Sequence, residues 1–400
     1  MIMVKSNMPP YIFIAAAALL VGIFFSYQPT LSFGTASGTN LEVSAAQIGA
    51  AVFIFASLSL LWRNRTQLYH NVSIRLLSGL AAFSTLSLLY TPNLTRGVLF
   101  TTLLWAIVAL WAAITVSLPA VTKYIPQLRN IVFCSIILTT LFAWFQIFAE
   151  AFGVSPSVTL LPAAYLSGVF GFARPTAFAL EPQFLGSLLI APVLYCAYLE
   201  LVRRQTIFSR IIFFVSLSVL LATISRGAYL SAAAGMVMII IAYGKTSLKA
   251  SVWLAGYFAI TAIATIGLLG VAAHINQRDQ ISGDQAVAKS INQLSFGVID
   301  LSAPEVPISQ PLQAPATQPS AGYVATSTDS RLGMAEAAWK LWTLSPSTIL
   351  FGVGSGGFGA TLHASDARYA ENSIVNNQYL EVLVELGLIG LLLLVSVIGY

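Results

Sequence analysis

Residues 98–118 read VLFTTLLWAIVALWAAITVSL, a run without one charged side chain. A helix rises 1.5 Å per residue, so about 20 such residues cross the roughly 30 Å hydrocarbon core of a bilayer. Comparable apolar runs lie at about 11–27, 45–62, 76–91, 131–149, 184–202, 211–224, 228–243, 251–273 and 378–400. Charged residues make up 8% of the 400 positions and hydrophobic ones 57%, where a soluble domain carries about 25% charged. Mean hydropathy is +0.83. The fold class is therefore all-α, a polytopic membrane helix bundle of about 10 spans. The apolar run after Pro10 is too long and uninterrupted for a cleaved signal peptide and is read as the first span. The last run stops at Tyr400 with no basic flank, so the natural protein is expected to continue.

The net charge of +5 and pI of about 9.2 would hint at nucleic acid in a soluble chain, but here topology accounts for them. With a cytoplasmic N-terminus, Lys5, Arg63, Arg65, Arg75, Lys123, Arg129, Arg203, Arg204, Arg210, Lys245 and Lys249 fall in short inner loops, as the positive-inside rule requires. Arg96, Arg174, Arg226, Arg278, Lys289, Arg331, Lys340 and Arg368 fall outside, together with every acid except Glu200. The opposite orientation puts each basic cluster on the wrong face. Cys134 and Cys196 both fall inside spans, where small buried hydrophobes are expected rather than a disulfide.

The domain plan is a nine-span bundle over 1–273, a large external loop over 274–377 and a last span over 378–400. Within the loop, 303–320 holds Pro304, Pro307, Pro311, Pro315 and Pro319, which favours extended or disordered backbone and a flap or tether. Thr328-Asp329-Ser330 offers a cap for an amphipathic helix over about 330–344, with Pro346 as its stop. Leu332, Ala335, Trp339 and Trp342 give this helix an apolar stripe suited to the bilayer surface.

Several external residues could carry chemistry. Arg226, in the Ser225-Arg226-Gly227 turn of a tight helical hairpin, is either a snorkelling helix-end arginine or an anion clamp. Arg331 opens the loop helix, where a cation opposes the helix dipole; paired with Arg226 it could grip a diphosphate, because guanidinium forks match phosphate oxygens. Glu181, in Leu180-Glu181-Pro182, sits at the membrane boundary, where desolvation would tune a carboxylate toward a general base. It could equally pair with Arg174 to stiffen a turn. Gly352-x-Gly354-x-x-Gly357 matches the dinucleotide string but lacks a strand–helix–strand setting. Such a turn can present N–H groups to an anion or simply redirect the chain. His70, His274 and His363 have no partner at metal-ligand spacing, and no cofactor or metal is expected.

Taken in order, Arg174-Pro175-Thr176 to Glu181-Pro182, Ser225-Arg226-Gly227, Arg331 with Trp339, Pro346, Gly352-Val353-Gly354 and Asn376-Asn377 with Gly387 and Gly390 resemble the O-antigen ligase and O-antigen polymerase superfamily over about 160–400. The resemblance implies a membrane glycosyltransferase using polyprenyl-diphosphate-linked oligosaccharides as donor and acceptor on the periplasmic face of a bacterial inner membrane. A chain-length regulator protein is a further implied partner, and nucleic acid is not. It also implies that Arg226 and Arg331 hold the donor diphosphate. Ligase-type members carry His where this chain has Asn376, while Asn377, Gly387 and Gly390 fit. Asparagine cannot take up a proton at neutral pH, which favours a polymerase. Arg226, Arg331 and Glu181 are the expected catalytic residues. Arg174, Asn376, Asn377, Tyr379 and Glu381 are expected to contact substrate. The alternatives are an O-antigen ligase or protein O-oligosaccharyltransferase using the same donor, and less so a transporter of lipid-linked glycans, whose polar groups would sit mid-span.

Overall fold

The computed structural model describes residues 10–26, 30–36, 39–166, 170–202, 204, 206–243, 248–276, 285, 287–289, 291, 323–375 and 377–400. The Pro-rich segment 303–320 and Asn376 lie outside them. The helices are α1 (Pro10–Phe24), α2 (Ala45–Arg63), α3 (Arg65–His70), α4 (Val72–Ser87), α5 (Leu94–Val121), α6 (Ile125–Ala151), α7 (Pro156–Thr159), α8 (Pro182–Leu201), α9 (Ile207–Ala222), α10 (Arg226–Tyr243) and α11 (Leu248–Ile275). They continue with α12 (Tyr323–Trp342), α13 (Pro346–Phe351), α14 (Phe358–Ser365) and α15 (Gln378–Gly399). An apolar helix stands at every one of the expected positions. Ala45–Arg63, Leu94–Ala151 (which holds both α5 and α6), Pro182–Leu201, Arg226–Tyr243, Ala250–Ile275 and Gln378–Gly399 are long and apolar enough to cross a membrane, and α1, α4 and α9 are shorter apolar helices. The chain is a multi-pass helical membrane protein.

Among the described residues, one two-stranded hairpin departs from helix. Strands β1 (Thr30–Ala36) and β2 (Thr39–Ser44) pair antiparallel with a register shift between Ser32 and Thr35. Ser44 then accepts from the Gln47 amide while Gln47 reaches back to Ser44, a capping box that starts α2.

Helix packing falls into two groups joined through α1, α2 and α5. In the first, α8 lies against α9 and α10, with α6 and α11 beside α9. Its core holds Leu185, Leu189, Val193, Leu217 and Leu220. In the second, α4 packs on α5 and α15, and α12, α13 and α14 pack on α15. A small core of Ala338, Leu341, Phe358, Leu362, Val375 and Val384 ties the loop helices to the last span. The two helices flanking Arg226 do not form the expected hairpin: α10 leaves α9 and packs along α8. Cys196 is buried as expected, but Cys134 is exposed on α6.

Every ion pair among the described residues joins groups that the charge pattern assigns to one side. Arg210 grips Glu200 with Nε at 3.3 Å and Nη2 at 3.2 Å. Arg96–Glu381, Lys340–Glu336, His363–Glu371 and Arg368–Asp366 are the others.

Candidate functional site

Between α7 and α8, apart from a 3₁₀ turn at Ala163–Tyr165, the described chain is irregular, and its 170–179 stretch is largely buried. Leu161, Phe170, Phe172, Ala173, Thr176, Ala177 and Ala179 are almost fully enclosed. Irregular backbone at membrane depth persists only where protein or water satisfies its polar groups. Gln146, wholly buried on α6, does this here. Its Oε1 accepts from the amides of Thr176 at 3.0 Å and Ala177 at 2.7 Å. Its Nε2 donates to the carbonyls of Thr159 at 2.8 Å and Ala177 at 3.3 Å. The bonds hold Ala177 at a φ of 47°, a left-handed conformation that non-glycine residues seldom take.

This segment delivers Arg174 to the end of α9. Its Nε and Nη2 donate to the Thr223 carbonyl at 3.2 and 3.1 Å, and Nη2 also reaches the Ile224 carbonyl at 3.4 Å. Ile224 has a φ of 51°, which breaks the helix and frees those carbonyls. A cation there satisfies them and complements the negative end of the helix dipole. The turn that Arg174 fixes carries Ser225 and Arg226, the first residue of α10. Helix α8 closes against the same turn, since a side chain at Gly186 would meet Thr223 Oγ1 at 3.1 Å and Ala228 Cβ at 2.8 Å. Glu181 precedes α8 at its N-cap position without capping it. Its carboxylate instead accepts from Gln183 Nε2 at 2.5 Å. Arg174, Glu181 and Arg226 therefore converge on one end of α8, α9 and α10.

The second part of the site is built around α15. This helix is broken at Gly387, with φ 65° and ψ −168°. The break strips the Val384 and Glu385 carbonyls of their helical donors, and the Val353 and Gly354 amides replace them at 2.9 Å each. The glycine-rich loop thus runs along the kink. Gly352 and Gly387 both stand where a Cβ would lie 2.3 Å from facing backbone. The anion that the loop's N–H groups receive is the protein's own Glu385. That carboxylate, 1% exposed, accepts from Gly356 at 2.8 Å and from Phe358, the first residue of α14, at 3.4 Å. On the other flank the Ser355 amide donates to Ser87 Oγ at 3.0 Å, and Ser84 Oγ donates to Ser355 Oγ at 3.0 Å.

Asn377 caps α15 through Oδ1, which accepts from Leu380 at 3.1 Å. Tyr379 is exposed beside it. Glu381 pairs with Arg96 at 3.8 Å, and Arg96 Nη1 donates to the Ser373 carbonyl at 3.3 Å. Asn376 is outside the described residues. Arg331 is exposed in the middle of α12, which begins at Tyr323 and not near 330. Its guanidinium therefore does not face the dipole of a helix start. Helix α12 ends at Trp342, ahead of Pro346 as expected, and Pro346 opens α13 at its first position, where a missing N–H costs nothing. Helices α10 and α12 form no packed interface with each other. In the same loop the Arg368 guanidinium beside Asp366 holds its carboxyl at about 2, so Asp366 is no proton acceptor near neutral pH.

Glu385 and Arg96 were not singled out by the sequence. An acid inside an apolar run is costly unless it is partnered, and that signal alone marks Glu385. The fold and its polar end define a multi-pass helical membrane protein with a cationic, hydrogen-bonded site built partly from buried irregular backbone. Residues 211–395, from α9 into α15, match the family described as O-antigen ligase, so this part of the chain is similar to the O-antigen ligase and polymerase-like superfamily. No curated protein and no solved structure gives a match. Members of this family are membrane glycosyltransferase-like enzymes, and the family implies lipid-linked glycan substrates.

Proposed function

We propose that the chain polymerises polyprenyl-diphosphate-linked oligosaccharide repeat units into O-antigen, capsule or exopolysaccharide at the periplasmic face of a bacterial inner membrane. In the reaction the sugar C1–O bond to the diphosphate breaks, and C1 bonds to an acceptor sugar hydroxyl. The proton of that hydroxyl passes to Glu181, and the lipid diphosphate leaves. Negative charge grows on the leaving group, so preorganised guanidinium groups of Arg226 and Arg331 lower the barrier. A positioned base contributes about 10²- to 10⁴-fold. Asn376, Asn377, Tyr379 and Glu381 contact the sugars.

The observation that carries this reading is the rigid mounting of Arg226. Its turn is gripped by Arg174 through Thr223 and Ile224, and Glu181 stands at the neighbouring end of α8. From Glu181 to Gly186, where α8 touches the turn, is about 7 Å of helix rise. Arg174 acts in this scheme by holding the turn. Arg331, carried on α12, joins the diphosphate when donor binds. The ligase reading is favoured by the family description and disfavoured by Asn376, which cannot act as a base. Incubating purified protein with lipid-linked repeat units alone separates them. A polymerase yields a ladder of products. A ligase yields none until lipid A core is added, and that result would overturn the polymerase reading.

A further inference from the structure

The glycine cluster of residues 352–357 has the make-up of an anion-binding loop, and its anion comes from within the chain. We infer that Glu385 is a positioning residue: its carboxylate, seated on the Gly356 and Phe358 amides, fixes the sugar-side wall of the site to the last span. This rests on the glycosyl-transfer reading above. A buried carboxyl group held by two N–H groups is worth keeping only if its partners stay in place, because an unmatched buried polar group is expensive. The partners here are the loop and the start of α14, and the same loop also supplies the amides that complete the broken helix at Val384 and Glu385. Main chain and side chain of one residue, Glu385, therefore bind Gly354 and Gly356 of one loop and the start of α14.

The geometry has a directional consequence. Glu385 lies one helical turn from Glu381 and two from Asn377, so the seat that fixes Glu385 also fixes the exposed first turn of α15. Arg96 ties the same stretch from outside through Ser373 and Glu381. Helices α8, α9 and α10, which mount Arg226, are packed elsewhere. Loss of the seat should therefore disturb acceptor alignment, and with it α12, which packs on α15, while leaving Arg226 in place.

Glu385→Gln keeps the size but replaces one acceptor by a donor facing an N–H; Glu385→Asp keeps the charge on a shorter arm. The expected turnover order is wild type, then Asp, then Gln, with Gln at least about tenfold below wild type. Hydrogen exchange at Gly356 and Phe358, which needs no turnover, should quicken in the same order. Turnover in Gln equal to or above Asp, or unchanged exchange at both amides, overturns the inference. If the Gln variant does not fold, Asp decides alone: faster exchange with full wild-type turnover also overturns it. Turnover is scored with whichever acceptor the wild type extends. A wild type inactive on every lipid-linked donor refutes the glycosyl-transfer reading, whereas an active wild type with an indifferent Glu385→Gln refutes only the seat.

Discussion

Gly387→Ala should cost this protein far more than the same change at a glycine with open space around it. At φ 65° and ψ −168° the backbone occupies a region open essentially to glycine alone. Holding alanine there costs about 1–3 kcal/mol. The added Cβ would also lie 2.3 Å from the Leu350 carbonyl oxygen. Relief requires α13 to move, and α13 leads into the loop whose Val353 and Gly354 amides complete the broken helix at 2.9 Å. Each buried pair left unmade costs about 1–3 kcal/mol. Backbone strain and two lost bonds together come to about 3–9 kcal/mol. The assay is thermal unfolding of detergent-solubilised protein, where the midpoint should fall by about 5 °C or more. Gly79→Ala is the control, because its added methyl would make only an ordinary contact with Leu393 Cδ2 at 3.8 Å. A Gly387→Ala protein melting with the Gly79→Ala protein would refute the view that the kink and the glycine loop are one unit.

Three further outcomes are expected. Gln146→Leu strands the amides of Thr176 and Ala177 and the carbonyl of Thr159 in the interior, a loss of about 3 kcal/mol or more, visible as lower thermal stability with faster proteolysis near residue 177. Arg174→Lys replaces the fork on Thr223 and Ile224 by a point donor, so turnover should drop by about tenfold, with smaller change in stability; unaltered turnover would show that the α9–α10 turn needs no clamp. Arg96→Ala frees Ser373 and Glu381 and should raise hydrogen exchange across residues 373–381 while leaving exchange near residue 177 unchanged.

Much of the scaffold was legible because its signals are local. The ten apolar runs became the ten apolar helices, and the ion pairs formed within the groups that the charge pattern had separated. The Thr30–Ala36 and Thr39–Ser44 hairpin was not legible, since seven- and six-residue polar strands carry little periodic signal beside spans of about 20. The start of α12 was misplaced because Thr328-Asp329-Ser330 is a strong cap string, and capping preference is a weak prior against helix continuation from Tyr323. The hairpin at Arg226 failed for a tertiary reason: Gly186 lets α8 come close to the turn, and α10 follows α8. At the site, Arg174, Glu181 and Arg226 could be chosen from sequence, but Arg174's attachment to the α9 carbonyls could not. That bond depends on the left-handed turn at Ile224, which no β-branched residue advertises. For the glycine cluster the sequence left open N–H groups for an anion or a simple redirection of the chain, and its seating on Glu385 required the fold.

The decisive measurement is donor binding and chain extension by purified Arg226→Ala, Arg331→Ala and double-variant proteins supplied with a defined polyprenyl-diphosphate-linked repeat unit. Each single substitution is predicted to abolish extension and weaken donor binding, while thermal unfolding stays near wild type because both side chains are partly or fully exposed. A double variant that binds the donor and extends it at the wild-type rate would contradict the account.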